Sequence, residues 1–450
     1  MNRLMQLEEK IIKKKAKIGV VGLGYVGLPL AVEYASKGFT TIGIDIDKSK
    51  VEKLNRGENY ILDVDSEKVK KLVKSGRLSA VSDYSAVDIL DVIFICVPTP
   101  FNENKEPNIS HILDAVENIA KKLRHGQLII LKSTTFPTTT ENYVLPILEK
   151  TGLRVGKDFF LAFSPERIDP GNKEWNLSNT PVIVGGVTPE CARMAEIVIK
   201  QISKNVHLVS SPRVAEMAKL LENIFRSVNI ALVNELAQLC DRIGNIDIWE
   251  VIEAASTKPF GFMPFYPGPG IGGHCILVDP YYLSWFAKAY DFHTNFIELA
   301  AETNESMPFY IVNLILRELS YLPKTLKDAN ILFLGVAFKR NVNDTRLSPA
   351  IKIMELLMRE GAINIFYNDP YVPEIWVNSK KFESIELNER KLQKFDIVVI
   401  TTDHSIYDFE FIVRNSKVII DTRNATKGIE NSTAKIVRLG AGMNRNENKN

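Results

Sequence analysis

The stretch from Lys17 to Leu54 reads KIGVVGLGYVGLPLAVEYASKGFTTIGIDIDKSKVEKL. A short apolar run over 17–21 predicts a buried strand, and apolar residues at three- and four-residue steps then predict a helix to about Lys37. A second apolar run, 40–45, predicts a strand ending in Asp45. The rhythm continues in DILDVIFICVPTP (88–100), a buried strand closed by prolines, and in QLIILKSTTFPTTT (127–140), a strand ending in hydroxyls. DFFLAFSPERI and TPVIVGG add further strand signals. Strands that alternate with helices predict a doubly wound parallel sheet whose loops at the strand C-terminal ends carry the chemistry.

The segment 211–256 differs in kind. Ser210 or Ser211 can cap its start, with Pro212 in the first turn, and helical apolar steps run to about Ile243, where Gly244 marks a stop. A spine joining two domains, and a dimer interface, would explain so long a helix. Residues 290–320 read as further helix. The strand–turn–helix–strand rhythm then returns over 328–372, and FDIVVITTDH and KVIIDTRNA add two strands. The expected fold class is α/β: two Rossmann-like doubly wound domains joined by a long central helix and a helical middle domain. The expected boundaries are 1–210, 211–322 and 323–450.

Composition narrows the setting. With 56 basic against 54 acidic residues, nothing draws the chain to nucleic acid or an anionic membrane. No apolar run approaches the ~20 residues needed to span a bilayer. The N-terminal MNRLMQLEEKIIKKKAK lacks the apolar core of a secretory signal and reads as a loose amphipathic lead-in helix. The tail GMNRNENKN reads as disordered. Cys96, Cys191, Cys240 and Cys275 show neither metal-ligand nor disulfide spacing, which fits free thiols in a reducing cytoplasm and no bound metal.

The candidate chemistry begins at Gly22-Leu-Gly24-Tyr-Val-Gly27. A lone GxGxxG is a weak signal, but here strand, glycines, helix and an acidic residue follow in the required order. Gly22 permits the tight turn, Gly24 admits a pyrophosphate to the backbone amides, and Gly27 lets the helix pack closely. Asp45, eighteen residues after Gly27, can accept from the ribose hydroxyls, which favours NAD over NADP; Lys48 and Lys50 nearby soften that preference. Cys96 and Cys240 sit in apolar runs and read as core thiols. Cys275, in YPGPGIGGHCILVDPYY, sits instead behind a glycine-dense loop. Lys219 and Asn223, four apart, share one face of the long helix. Phe338, Lys339, Arg340 and Arg346 surround the first turn of the second α/β unit. That loop suits a base and a phosphate, and equally a solvated charged loop.

Taken together these residues resemble the UDP-sugar 6-dehydrogenase family, the UDP-glucose and UDP-N-acetylhexosamine dehydrogenases. The markers GLGYVGLPLA, CVPTP, KSTT, FSPERI, AEMAKLLENIFRSVNIALVNE, GPGIGGHCILVDP, FKRNVNDTR and DTRNA occur in the family's order, from about Lys17 to Arg438. The resemblance implies oxidation of C6 of a UDP-sugar to a carboxylate with two hydrides passed to NAD+, the second through a thiohemiacetal and thioester on Cys275. It implies Lys219 stabilising the developing oxyanion with Asn223 as partner, Asp279 holding a water, Glu166 as acid and base, and Thr134 positioning a water near the nicotinamide. It extends the cofactor site to Tyr25, Val26, Lys50, Pro98, Thr99 and Arg346. It assigns substrate contacts to Glu166, Arg167, Lys219, Asn223, Tyr266, Gly268, Gly272, Phe338, Lys339 and Arg423. Asp369 receives no role, and no direct base role is expected of His274.

Two departures point within the family. SPERIDPG has Pro170 where UDP-glucose enzymes carry a second glutamate, and TKPFGFMPFYPGPG lacks the arginine those enzymes carry some sixteen residues before the cysteine, though Lys258 is close. Both, with GGHC, resemble the N-acetylhexosamine branch, and KPFGFMPFYPGPG resembles UDP-N-acetylglucosamine 6-dehydrogenases more than the mannosamine enzymes. The implied partners are a UDP-sugar and a second copy of the chain, in the cytoplasm. A one-step hydroxyacid dehydrogenase would not need the thiol or the second nucleotide unit. A non-catalytic NAD sensor would not need the full set of catalytic residues.

Overall fold

The computed structural model describes residues 3–61, 64–102, 105–167, 174–273, 275–429 and 433–442, apart from the side chains of Cys275, Leu277 and Val278. The expected disorder of the tail from Met443 onward, and any role for His274, lie outside the described residues. The chain forms two compact units. The first holds the chain up to Glu222 with Tyr281–His293; the second holds Asn223–Pro280 with the chain from Thr294. The chain passes between them three times: twice inside continuous helices, Pro212–Ile243 and Cys275–Ala287, and once just before the helix Asn295–Leu319.

In the first unit β1 (Lys17–Val21), β2 (Thr40–Ile44), β3 (Leu78–Val81), β4 (Val92–Ile95), β5 (Leu128–Leu131), β6 (Phe160–Phe163), β7 (Val182–Gly186) and β8 (Val206–Val209) form one sheet, ordered β3-β2-β1-β4-β5-β6-β7-β8. VIFI, LIIL and FLAF of β4, β5 and β6 are buried at every position, because helices cover both faces. Alternate residues serve opposite faces: Phe94, Leu128 and Ile130 join one apolar cluster, Ile93, Ile95 and Ile129 another.

The sheet departs from the all-parallel expectation at one seam. β6 pairs antiparallel with β7 (Phe163↔Gly185), while β7 and β8 run parallel to each other. The described residues between β6 and β7 hold no helix, and without a helical crossover the chain returns in the opposite sense. The lead-in helix, Arg3–Ile12, is a second correction: it is not loose. Leu7 and Ile11 are buried, Lys10 Nζ lies 2.8 Å from Asp91 Oδ1, Arg193 reaches Glu8 at 3.0 Å, and Arg3 pairs with Asp158.

The second unit has a five-stranded parallel sheet ordered β10-β9-β13-β14-β15, from β9 (Asn330–Leu334), β10 (Asn364–Asn368), β13 (Ile397–Ile400), β14 (Val418–Asp421) and β15 (Lys435–Arg438). β11 (Glu374–Val377) and β12 (Lys380–Glu383) form a separate hairpin through Asn378 and Ser379, both at positive φ, as a two-residue primed turn requires. After β15 the chain returns to the helical segment. Trp249 Nε1 donates to the Leu439 carbonyl at 2.8 Å, the Ile248 amide donates to the Gly440 carbonyl at 2.8 Å, and the Gly440 amide donates to Asp241 at 3.2 Å.

Candidate active site

The parallel strands β1, β4, β5 and β6 lie side by side in the first unit, so their C-terminal loops open on one edge. At β1, Gly22 has φ +89°, and an added Cβ would lie 2.6 Å from the Cys96 carbonyl oxygen. A Cβ on Gly27, the first residue of helix Gly27–Ser36, would lie 1.7 Å from the Gly22 carbonyl oxygen. Gly24 by contrast has nothing within 4 Å of its Cβ position. The loop is therefore tight where it meets protein and open where it would meet a pyrophosphate, with a helix N-terminus behind it. Asp45 closes the site from β2: its Oδ2 accepts from the Leu23 amide at 2.7 Å and its Oδ1 from the Asp47 amide at 2.9 Å. Lys50 Nζ stands 3.8 Å from Asp45, and Ile46 beside it is 77% exposed, an apolar surface suited to a base. Tyr25 is exposed, and Val26 caps the helix. These residues fit NAD.

The next three strand ends carry the polar groups. Pro98 is exposed and Thr99 buried in the loop after β4; Tyr282 places its hydroxyl against the Thr99 carbonyl, and against that of Pro100 at 3.0 Å. Ser133 ties the loop after β5 to this one, donating to the Val97 carbonyl at 2.7 Å, and Thr134 follows half-buried. After β6 Glu166 accepts from the Arg167 amide at 2.9 Å, and its carboxylate lies 3.5 Å from Lys132 Nζ. Lys132 is itself buried; a strand-end lysine carries no local sign of that pairing. Arg167 reaches Glu222 of the long helix at 2.7 Å. Lys219, one turn earlier, is buried.

Glu216 is the group the sequence reading passed over. Fully buried, it accepts from the amides of Thr138 (2.7 Å) and Thr140 (2.9 Å) and from the Thr140 hydroxyl (2.7 Å). It thus ties the helix bearing Lys219 to the turn that follows Thr134, with Thr138 at φ +80°. Burial pushes its pKa up to about 7 against those hydrogen bonds, and Glu141 adds to the rise. Burial likewise pushes the Cys96 thiol up to about 12, as expected of an inert core thiol.

In the second unit, Cys275 opens the helix Cys275–Ala287 and Asp279 lies four residues on, buried. Asn223 Nδ2 donates to Asp279 Oδ2. The glycine loop before the cysteine is fitted to its neighbours. The Gly268 amide donates to Asn234 Oδ1 at 2.9 Å, and a Cβ on Gly268 would lie 2.6 Å from the Arg423 guanidinium. A Cβ on Gly272 would lie 2.5 Å from Phe338 Cβ. Arg423 Nε donates to the Thr401 carbonyl at 2.9 Å, Tyr266 stacks on Trp249 with centroids 5.8 Å apart, and Lys339 is half-buried. Arg346 holds Asp344 through its guanidinium while its carbonyl accepts from the Gly273 amide at 2.9 Å. Among the described residues no group of acidic, histidine and cysteine side chains could hold a metal ion.

The chain matches three models of one family: the UDP-glucose/GDP-mannose dehydrogenase NAD binding domain over residues 16–203, the central domain over 213–306 and the UDP binding domain over 332–428. It is 39% identical over 361 residues to a UDP-N-acetyl-D-glucosamine 6-dehydrogenase of Pseudomonas aeruginosa, covering 80% of this chain and 84% of that one. The structure of the UDP-N-acetyl-mannosamine dehydrogenase of Pyrococcus horikoshii superposes with TM-score 0.85 at 34% identity, over 95% of this chain and 99% of that one. That of a UDP-glucose dehydrogenase from Pyrobaculum islandicum superposes with TM-score 0.82 at 27% identity, over 95% and 98%. The chain belongs to the UDP-glucose/GDP-mannose dehydrogenase family and is an NAD-dependent sugar-nucleotide oxidoreductase.

Proposed function

We propose that this enzyme oxidises C6 of UDP-N-acetylglucosamine to the carboxylate in two steps through Cys275. NAD+ held at the glycine loop supplies the hydride acceptor for each step. In the first, Lys219 and Asn223 stabilise the alkoxide as the C6 hydroxyl loses its proton and the carbon its hydride. In the second, the Cys275 thiolate adds to the aldehyde carbon. The thiohemiacetal then loses a hydride, leaving a thioester. Water attacks the acyl carbon, Glu166 takes its proton, and the C–S bond breaks to return the thiolate and the acid. Asp279 holds a water for proton transfer, and Thr134 orients one near C6.

The observation that carries this reading is the Asn223–Asp279 hydrogen bond four residues along the helix that Cys275 opens. A helix N-terminus favours thiolate over thiol. The Pseudomonas relative and the KPFGFMPFYPGPG loop support the glucosamine epimer; the Pyrococcus structure favours mannosamine as the second reading. The test is NADH formed per sugar, by absorbance at limiting UDP-N-acetylglucosamine, UDP-N-acetylmannosamine and UDP-glucose. Two NADH per UDP-N-acetylglucosamine is the expected result. Two with the manno epimer alone would move the substrate assignment, and one per sugar would remove Cys275 from the mechanism.

The working division is a cofactor part (1–210), a central helical part (211–322) and a UDP-sugar part (323–450). The long helix carries exposed Met217, Leu221, Phe225, Leu232, Leu236 and Leu239 at helical steps, a stripe that supports a dimer through this helix. A concentration-independent mass of 50.7 kDa by light scattering would refute it. Three unpaired cysteines and the lack, among the described residues, of any helix long and apolar enough to cross a membrane are compatible with a cytoplasmic setting.

A further inference from the structure

The order of the second sheet reverses between β9 and β13, and open α/β sheets take their ligand at such a point. The segment 336–341 leaves β9 there, and a buried pair that the reaction does not use holds its shape. Asp369, just past β10, accepts at Oδ2 from the amides of Val336 (2.8 Å) and Ala337 (3.0 Å) and faces His404 Nε2 at 3.0 Å; its Oδ1 accepts from the Tyr371 amide at 2.9 Å. His404, in the loop after β13, has Nδ1 2.9 Å from the Asn341 amide. An amide only donates, so Nδ1 carries no proton and the Nε2 proton points at Asp369. Both side chains are wholly removed from solvent.

The pair therefore joins the ends of three neighbouring strands and pins 336–341 at both ends. Between the pinned ends lie Phe338, Lys339 and Arg340. Thr402 donates to the Ala337 carbonyl at 2.5 Å and the Phe338 amide to the Asp344 carbonyl at 2.9 Å, while Asn341 sits at φ +61°. The Phe338 ring lies 3.0 Å from where a Cβ on Gly273 would stand, so the 336–341 loop borders the glycine loop before Cys275.

We propose that Asp369 and His404 are positioning residues for UDP: the pair fixes the 336–341 loop so that Phe338 and Lys339 meet the base and the phosphate without an ordering cost on binding. The inference rests on Phe338 and Lys339 being UDP contacts. Calorimetric titration of UDP, and separately of NAD+, into wild type, His404→Ala and His404→Asn tests it. In the alanine variant UDP affinity falls about tenfold or more while NAD+ affinity stays within twofold. His404→Asn, which keeps an acceptor near the Nδ1 position, recovers part of the loss. A merely structural histidine would lower Tm yet leave the UDP Kd of the folded variant unchanged, which would overturn the proposal. If neither variant folds, hydrogen exchange of wild type decides: the amides of Val336, Ala337 and Asn341 are protected without UDP, and fast exchange would overturn it. Wild type that binds no UDP would bring down the reading of Phe338 and Lys339 first, and the pair's role with it.

Discussion

Glu216→Gln makes a quantitative test of the turn that Glu216 holds. A carboxyl raised from its ordinary value of 4.5 to about 7 favours the folded state below pH 4.5 and loses that stability as pH rises to about 7. Above that the ionised group costs about 3 kcal/mol, at 1.36 kcal/mol per unit. Glutamine has no such dependence. It can still accept from Thr140 but turns an N–H toward the Thr138 amide, a pH-independent loss of roughly 1–3 kcal/mol. Wild type therefore exceeds the variant in stability at pH 5 and is level with it or below it near pH 8, a swing of about 2–3 kcal/mol. For a unit of this size that is roughly 4–12 °C in Tm. The assay is the difference in Tm between the two proteins across pH 5 to 8, which cancels every titration they share. Glu141 and Arg213 face the same carboxylate and remain in both. A difference in Tm that does not change with pH would refute the argument.

Gly27→Ala places a methyl 1.7 Å from the Gly22 carbonyl oxygen, so the glycine loop must open. NAD+ affinity should fall about tenfold or more with UDP affinity intact; equal loss of both would show general unfolding instead. Thiol titration of the native protein at neutral pH should find one fast-reacting cysteine, absent from Cys275→Ser. Cys96, Cys191 and Cys240 are buried and their thiols pushed up by burial, so two or more fast thiols would contradict this structure.

The strand–helix rhythm and the glycine loop were legible because each rests on neighbours in the chain: a period of two or of 3.6, and a turn that only glycine fits. What escaped was set by distant partners. Glu216 reads as one acid among several on a long helix, and its three donors lie 76–78 residues upstream. His404 reads as a strand-end histidine until folding brings Asp369 to it across 35 positions. The lead-in helix looked loose because Asp91 and Asp158, which hold it, belong to other elements. The antiparallel seam at β7 was hidden for the same reason, since pairing sense is fixed by the path between strands and not by their composition. Cys275 stood out by its glycine-dense setting, but the role proposed for it in a two-step oxidation rests on the family resemblance.

The return of the chain after β15 has a consequence for synthesis in the cell. Asp241, Asp247 and Trp249 find partners in Arg438, Leu439, Gly440 and Gly442, which lie 190–201 positions downstream. At ribosomal rates of about 5–20 residues per second, those partners arrive roughly 10–40 s later. Until then Trp249 and Ile248 lack the segment that packs over them, and the second unit stays open at its oldest part. The second unit closes over Trp249 only once its last strand has emerged, so its earliest-made helices wait longest for their partners.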